Sequence, residues 1–292
     1  MKPPKFAYHA PDGLGEAVQL LERYKGNARI LAGGQSLVPM LNFRLLAPEA
    51  LIDLRKVAGL ADIRVSQGEV CIGAMTRQRA AENSPVVAQH LPVMKEALGW
   101  VGHLPTRSRG TVGGSIAHAD PSAELPMALL ALDGAVFATG PSGGRLIAAD
   151  DLFDSLFTTT LAPAEILSEV RIPAMRSGAG FAVEEYARRK GDFAIVGIAT
   201  VLEGDSKRCT RARLVAAGVG GRPVRLRDAE QMLEKGGLGA ENVEAASRKA
   251  GETVKPLSDP NGSAEFRRHL TGVLAKRALL RAIKLLETSS HG

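Results

Sequence analysis

Cysteine is nearly absent from this sequence of 292 residues, which contains only Cys71 and Cys209. A [2Fe–2S] cluster normally takes four thiolate ligands, and many structural zinc sites are also rich in cysteine. The chain therefore cannot hold such a cluster by itself, and we assign it no metal site. Both cysteines lie in apolar, strand-like contexts and are predicted to be buried thiols.

Long apolar runs are also missing. The longest runs, such as 127–132 and 194–202, are much shorter than the roughly 20 residues that a membrane-spanning helix needs. The N-terminal residues carry positive charge, but the apolar segment of a secretory signal peptide does not follow them. We therefore expect no transmembrane segment and a cytoplasmic location.

Aromatic residues make up only 4% of the chain, with three tyrosines and one tryptophan. The formal charge of +6 is compatible with nucleic-acid binding, because basic patches neutralise phosphates. However, the lysines and arginines are spread among acidic residues, and few rings are available to stack on bases. We expect no nucleic-acid partner; the basic surface is either simply solvated or faces an acidic partner.

Glycine, by contrast, is abundant, with 32 residues, and two glycine-rich motifs suggest a ligand site. The first, Ala-Gly-Gly-Gln-Ser-Leu at 32–37, follows the strand-like segment 28–31 and precedes the helix-like segment 38–46. Adjacent glycines let the backbone adopt positive φ and approach a ligand closely. Unpaired N–H groups at a helix start favour an anion, and Ser36 is a candidate N-cap. The motif predicts phosphate binding, although such turns also occur without a ligand.

The second motif, Arg-Gly-Thr-Val-Gly-Gly-Ser at 109–115, has the same character and continues into Ile-Ala-His-Ala-Asp-Pro-Ser-Ala-Glu-Leu-Pro at 116–126. Successive backbone N–H groups in such turns make concave anion sites. Two separate turns suit a ligand with two phosphates and a long body better than they suit a mononucleotide. We therefore expect both turns to contact one ligand.

These two motifs, together with Gly-Asp-Phe-Ala at 191–194, closely resemble the FAD-binding medium subunit of molybdenum hydroxylases, the family of the carbon monoxide dehydrogenase medium subunit and the xanthine dehydrogenase flavin domain. The resemblance covers essentially the whole chain. It implies an α+β protein with a two-part α/β FAD-binding domain of the PCMH type, followed by a C-terminal flavoprotein domain. It also implies that FAD is bound without a covalent link.

The last third of the chain has its own pattern of elements. A stretch rich in turn formers, 173–178, marks the boundary that we predict between residues 1–175, with parts at about 1–57 and 58–175, and residues 176–292. Strands followed by helices are typical of an α+β layer. We predict three strands, at 182–186, 194–202 and 211–219, and three helices, at 228–235, 242–250 and 264–286.

The resemblance implies particular cofactor contacts at the two glycine turns. The first turn would surround the FAD pyrophosphate mainly with backbone amides, and the second would add amide and hydroxyl donors for the phosphates and the ribityl chain. The residues concerned are Leu31, Ala32, Gly33, Gly34, Gln35, Ser36 and Leu37 in the first turn, and Thr111, Gly113, Gly114 and Ser115 in the second.

Five further positions match cofactor contacts in the resembling family or lie beside them: His118, Asp120, Glu124, Leu167 and Phe193. The carboxylate of Glu124 can accept hydrogen bonds from sugar hydroxyls, but it also suits a helix start. Phe193 matches an aromatic residue near the flavin ring, or is an ordinary core phenylalanine. Many relatives carry a lysine where this chain has Glu-Glu-Tyr at 184–186, so a charge contact there is in doubt.

The function that the resemblance implies is electron transfer. The chain would carry FAD, accept electrons from a small iron–sulfur subunit and pass them to an external acceptor, while a large molybdopterin subunit oxidises the substrate in a dimer of heterotrimers. No serine or cysteine has the context of a catalytic nucleophile, and we assign no catalytic residue. A self-contained FAD-dependent oxidoreductase and a cofactor-free assembly protein remain alternatives.

Overall fold

The structure, a computed structural model, describes residues 2–205 and 208–289. Its first unit is a three-stranded parallel sheet with the strand order β1-β3-β2. The first glycine turn directly follows β2 and leads into a short helix. The elements are β1 (Ala7–His9), α1 (Leu14–Tyr24), β2 (Ala28–Leu31), α2 (Leu37–Asn42) and β3 (Ala50–Asp53).

The second unit is built on a five-stranded antiparallel sheet with the order β4-β5-β10-β6-β7. The chain leaves this sheet after β5, forms a group of short helices, and returns to it at β6 and again at β10. The strands are β4 (Ile63–Ser66), β5 (Glu69–Gly73), β6 (Ala135–Gly140), β7 (Gly143–Ala148) and β10 (Ile166–Pro173), with a small hairpin of β8 (Phe153–Ser155) and β9 (Thr158–Thr159).

The helices of this unit carry the second glycine turn between them. The turn joins α6 to α7, and the segment of acidic and small residues after it leads into α8. The helices are α3 (Gln78–Asn83), α4 (Pro85–His90), α5 (Pro92–Leu98), α6 (Leu104–Arg109), α7 (Val112–His118), α8 (Glu124–Ala131) and α9 (Ala149–Leu152). Within the described ranges, no helix is long and apolar enough to cross a membrane.

The third unit is an antiparallel sheet, β11-β12-β13-β14, followed by helices. The α+β class is thus confirmed, but the sheet has one more strand than the three predicted, because β14 has only two residues and no readable alternation. The elements are β11 (Gly180–Tyr186), β12 (Val196–Gly204), β13 (Cys209–Ala217), β14 (Val224–Arg225), α10 (Arg227–Gly236), α11 (Ala240–Thr253) and α12 (Ala264–Ser289). The predicted chain limits at 1 and 292 lie outside the described residues.

The sheet of the third unit is buried on both faces. Along β12, every residue from Val196 to Glu203 is buried. One face packs on α12, while the other joins the core built around α5 and α8 of the second unit. A strand covered on both sides is expected to be apolar without alternation, as the run at 196–202 is. The second and third units therefore share one continuous interior.

Asp133 is the main polar link between these two units. It lies in the turn after α8 with φ of 48° and accepts hydrogen bonds from Arg213 at 2.8 Å and Arg225 at 3.0 Å, as well as from Arg211. Arg225 is only 6% exposed, so its positive charge is stabilised by nearby carboxylates and little by water. Burial opposes ionisation, but the guanidinium groups of Arg211 and Arg213 hold the pKa of Asp133 below its ordinary value.

We predict that Asp133→Asn destabilises the chain by about 2 kcal/mol, because three arginines lose a negatively charged partner. One of these arginines, Arg225, keeps its positive charge in a largely buried position. Asparagine tolerates positive φ, so the turn itself is preserved. Urea denaturation measures the change. Asp151→Asn, the same chemical change at an exposed position, is the matched control. Equal midpoints for the two variants would contradict the assigned role of Asp133.

Candidate functional site

The first glycine turn forms one wall of a cavity of about 490 Å³. Its lining includes five of the seven predicted first-turn residues, Leu31 to Gln35, whereas Ser36 and Leu37 lie at the start of α2 outside it. Gly34 has φ of +74°, which a side chain would strain. Among the described residues, the backbone N–H groups of 33–35, which line the cavity, have no hydrogen-bond acceptor, so three donors remain for a ligand.

The second glycine turn packs directly against the first. A Cβ added to Gly33 would lie 2.7 Å from Cα of Gly110 and still closer to the carbonyl oxygen of Arg109. A Cβ on Gly114 would lie 3.4 Å from Cβ of Ala32. Glycine at position 33 is therefore required by a backbone-to-backbone contact, and the two motifs meet in space as expected for a single ligand.

Within the second turn, the backbone amides are already used by the chain. The N–H of Gly113 donates to the carbonyl of Ala74 at 2.9 Å, and the N–H of Gly114 donates to Oγ1 of Thr111 at 3.1 Å. A Cβ on Gly113 would lie 2.7 Å from Cα of Ala74. The glycines of this turn thus allow close packing. Thr111 is the N-cap of α7, whereas Ser36, the N-cap expected at the first turn, makes no capping hydrogen bond with its side chain.

Three arginines complete the cavity, and sequence reasoning did not select any of them: Arg55, Arg77 and Arg109. Arg77 donates to the carbonyl of Arg109, which fixes the backbone just before the second turn. In the described part of the chain, the side chain of Arg109 has no hydrogen-bond or ion-pair partner. The only sequence signal was its position as the first residue of the second glycine motif.

The side chain of Arg55 is held in place by an ion pair with a buried aspartate. Asp53, which is 1% exposed, accepts from Nε of Arg55 at 2.7 Å and from the hydroxyl of Tyr8 at 2.7 Å. Burial raises the pKa of Asp53, but these hydrogen bonds outweigh it and bring the pKa below its ordinary value. Asp53 is therefore ionised near neutral pH, and its ion pair with Arg55 holds the Arg55 guanidinium group at the rim of the cavity.

These features fit a phosphate-bearing ligand. The cavity combines three free backbone N–H groups, those of 33–35, with three guanidinium groups, and both kinds of donor bind phosphate oxygens well. The added-Cβ contacts at Gly33 and the positive φ of Gly34 show that the wall is built from backbone. The residues present therefore suit the pyrophosphate of FAD.

The predicted polar residues beyond the second turn lie at the far end of α7. His118 ends that helix and stacks on Phe157, with ring centroids 5.0 Å apart. The pKa of His118 lies below its ordinary value, because the effect of burial is larger than the opposing effect of the Asp120 carboxylate. Burial also raises the pKa of Asp120, and it raises the pKa of Glu124, at the start of α8, to about 7. The three side chains form one semi-buried group, separate from the arginine-lined cavity.

The last two predicted residues occupy very different environments. Leu167 is a core residue of β10 that pairs with Ala138, next to a bulge before Glu169. Phe193 lies in the connection between β11 and β12 and is 68% exposed. It is not the ordinary core phenylalanine that the sequence also allowed, and its ring is open to contact with a ligand or a partner.

The whole chain matches known family models. Residues 4–175 match the family described as "FAD binding domain in molybdopterin dehydrogenase", and residues 181–282 match "CO dehydrogenase flavoprotein C-terminal domain". The chain belongs to this family. It is therefore the FAD-binding medium subunit of a molybdenum hydroxylase, and the resemblance, the cofactor and the oxidoreductase class predicted from the sequence are confirmed.

Relatives of known function cover nearly the full length. The chain is 40% identical to the 6-hydroxypseudooxynicotine dehydrogenase complex subunit alpha of Paenarthrobacter nicotinovorans, over 97% of this chain and 96% of that protein. It is 36% identical to the carbon monoxide dehydrogenase medium chain of Hydrogenophaga pseudoflava, over 96% and 97%. The first relative is named as a subunit of an enzyme complex, and the second is named as the medium chain of its enzyme.

Solved structures show the same architecture. A chain of carbon monoxide dehydrogenase from Hydrogenophaga pseudoflava has a TM-score of 0.96 and 36% identity, with 98% of this chain and 99% of that chain covered. A chain of quinoline 2-oxidoreductase from Pseudomonas putida 86 has a TM-score of 0.92 and 37% identity, with coverages of 97% and 99%. The arrangement of the three units is thus that of the medium subunits.

We predict that Gly33→Ala weakens FAD binding roughly a hundredfold, because displacing two N–H contacts to a charged phosphate costs about 3 kcal/mol. The added methyl group would push the two glycine turns apart. Titration of the FAD-free chain, followed by quenching of flavin fluorescence, measures the dissociation constant. Gly15→Ala is the control, because a Cβ at that position meets nothing within 4 Å. Unchanged affinity in Gly33→Ala would rule out this turn as the phosphate site.

Arg109→Gln is expected to weaken FAD binding about tenfold, because it removes a guanidinium group from the cavity while keeping a polar side chain. The salt dependence of binding should also become shallower, since one charge pair is lost. The same titration at low and high salt tests both effects. Arg248→Gln, at an exposed position on α11, removes an equal charge elsewhere and should leave the affinity unchanged.

Proposed function

We propose that this medium subunit transfers electrons from a small iron–sulfur subunit to an external acceptor, in a complex whose large subunit carries molybdopterin. The observation that carries the proposal is the junction of the two glycine turns beside three arginines, in a chain with only two cysteines, both buried. The chain thus has a place for the flavin and too few thiolates for a cluster. An iron–sulfur cluster has to be supplied by another polypeptide.

Each part of the site has a separate task in this proposal. Bound FAD supplies the redox chemistry, and the protein supplies binding, orientation and electrostatics. The amides of 33–35 and the side chains of Arg77 and Arg109 would hold the phosphates. The second turn, with Thr111 and Ser115, supports the first and faces the ribityl side. The ring of Phe193 covers part of the flavin.

Electron transfer by this chain requires no acid or base of its own, and we assign no catalytic residue. His118, Asp120 and Glu124 contact the cofactor or shape its surroundings in the proposal, with Leu167 contributing through its backbone. The FAD-binding domain comprises 1–175, with parts at about 1–57 and 58–175, and the C-terminal domain comprises 176–292. The extents of the two family matches support this division.

The assembly is a dimer of heterotrimers located in the cytoplasm. The word "medium" in the names of several relatives supports one larger and one smaller partner chain. The names also show that related subunits serve enzymes for different substrates, including nicotine, carbon monoxide and caffeine. Substrate choice accordingly belongs to the large subunit, and this chain serves as a common electron outlet.

Purification of the native complex through a tag on this chain tests the proposal. We expect two further polypeptides, one FAD per medium subunit, and both iron and molybdenum in the eluate. Substrate oxidation should bleach the flavin in the complex, whereas the isolated chain should bind FAD but oxidise no substrate. Turnover by the isolated chain would favour a self-contained oxidoreductase, and a folded chain without FAD would favour an assembly protein.

A further inference from the structure

The carboxyl end of β3 lies beside the first glycine turn. In the parallel pair of β2 and β3, Asp53 is opposite Leu31, the residue just before the first glycine motif. The carboxyl ends of parallel strands meet at one edge of a sheet, and ligands of such sheets bind outside that edge. The segment that follows β3 therefore starts next to the arginine-lined cavity, and its second residue, Arg55, lines that cavity.

Asp53 holds Arg55 through both its backbone and its side chain. It is the N-cap of the short 3-10 helix Leu54–Lys56, where its Oδ1 accepts the backbone N–H of Arg55 at 2.9 Å. Its Oδ2 accepts from Nε of Arg55 at 2.7 Å and lies 2.6 Å from Nη2. In the described part of the chain, the remaining nitrogen, Nη1, has no hydrogen-bond partner. A guanidinium group has five N–H donors, so those on Nη1 are left for a ligand.

Tyr8 completes this arrangement from the neighbouring strand, β1. It pairs with Leu51 of β3, and Leu51 and Asp53 are two residues apart, so their side chains are on the same face of the sheet. The Tyr8 hydroxyl donates to Oδ2 of Asp53 at 2.7 Å, the same oxygen that accepts from Nε of Arg55. Hydrogen-bond networks with satisfied members are rigid. The carboxylate is therefore fixed from two sides.

Fixing the carboxylate matters because Arg55 is otherwise a surface side chain. Its side chain is 62% exposed, whereas that of Asp53 is 1% exposed. A free arginine has many rotamers, and a ligand that binds it has to restrict them. A side chain already held in its binding conformation avoids most of that cost. The buried aspartate thus prepares an exposed cation for a ligand in the cavity.

The cavity receives its arginines from both units. Arg55 belongs to the first unit, whereas Arg77 is the N-cap of α3 and Arg109 ends α6 in the second. The pyrophosphate of FAD carries a negative charge on each of its two phosphates. A ligand with two charges can pair with cations from both units at once, and arginine can bridge two anions because its donors lie along separate edges.

We propose that Arg55 binds a phosphate oxygen of FAD from the first unit, and that Asp53 and Tyr8 are positioning residues that hold its guanidinium group in the cavity. The inference rests on the proposed function. It adds to the phosphate-binding groups an arginine from the other unit and assigns a role to two residues that do not line the cavity.

Titration of FAD into the FAD-free full-length chain, followed by flavin fluorescence, tests the role of Arg55. Arg55→Gln should weaken binding about fivefold and make its salt dependence shallower, because one charged donor to a phosphate is lost. Adenosine diphosphate, which carries both phosphates of FAD without the flavin, should lose affinity by a similar factor when it competes with FAD. Lys56→Gln removes the charge of the next residue, which lies outside the cavity, and should leave both affinities unchanged.

A double-mutant cycle tests the positioning residues. Asp53→Asn removes the charge that holds Arg55, and Tyr8→Phe removes one hydrogen bond to that carboxylate. Each change should weaken FAD binding about threefold in the wild-type chain and have no further effect once Arg55 is replaced by glutamine. A residue that only stabilised the fold would have the same effect in both backgrounds. Tyr24→Phe, which removes a hydroxyl that bonds to His9 at 2.8 Å, is the control.

The outcomes separate this inference from the proposed function. Unchanged affinity for FAD or for adenosine diphosphate in Arg55→Gln, or an unchanged salt dependence, would overturn the role of Arg55. Equal effects of the Asp53 and Tyr8 variants with and without Arg55 would overturn their positioning role. Should Asp53→Asn fail to fold, Tyr8→Phe decides the cycle, because Tyr8 is half exposed. A folded wild-type chain that binds neither FAD nor adenosine diphosphate would overturn the proposed function itself.

Discussion

The contact between the two glycine turns is the constraint on which the site depends. Position 33 cannot carry a side chain, because the backbone of residues 109–110 occupies that space. This contact places the free amides of the first unit beside Arg77 and Arg109 of the second, so the phosphate site exists only when both units are folded and docked. A local strand–turn–helix pattern acquires its function from this tertiary contact.

Much of the fold followed from local patterns. The strand at 28–31 appears where the sequence predicts it, and the long buried strand β12 begins and ends two residues later than the predicted strand at 194–202. The helix after the first turn ends at Asn42, before the predicted residue 46, because Arg44 adopts φ of 58°. Strands of two or three residues, such as β1 and β14, are too short for any pattern to identify.

The site was predicted less completely than the fold. The first turn was recognised from its glycines, but the second turn has its amides bound within the chain, and its glycines serve close packing. The arginines at 55, 77 and 109 come together only in three dimensions, from three separate segments. An arginine is common enough that no spacing rule could select these three among the many in the sequence.

The sheet that is buried on both faces affects how such subunits can diversify. Family models divide the chain near residue 180, yet one face of the third unit's sheet completes the core around α5 and α8. A chimera that takes its C-terminal half from a relative would keep the same order of elements. The side chains on the two sides of that face would nevertheless no longer fit together. The interior therefore couples the two halves in evolution, so that a change in α8 selects a compensating change in β12 or β13.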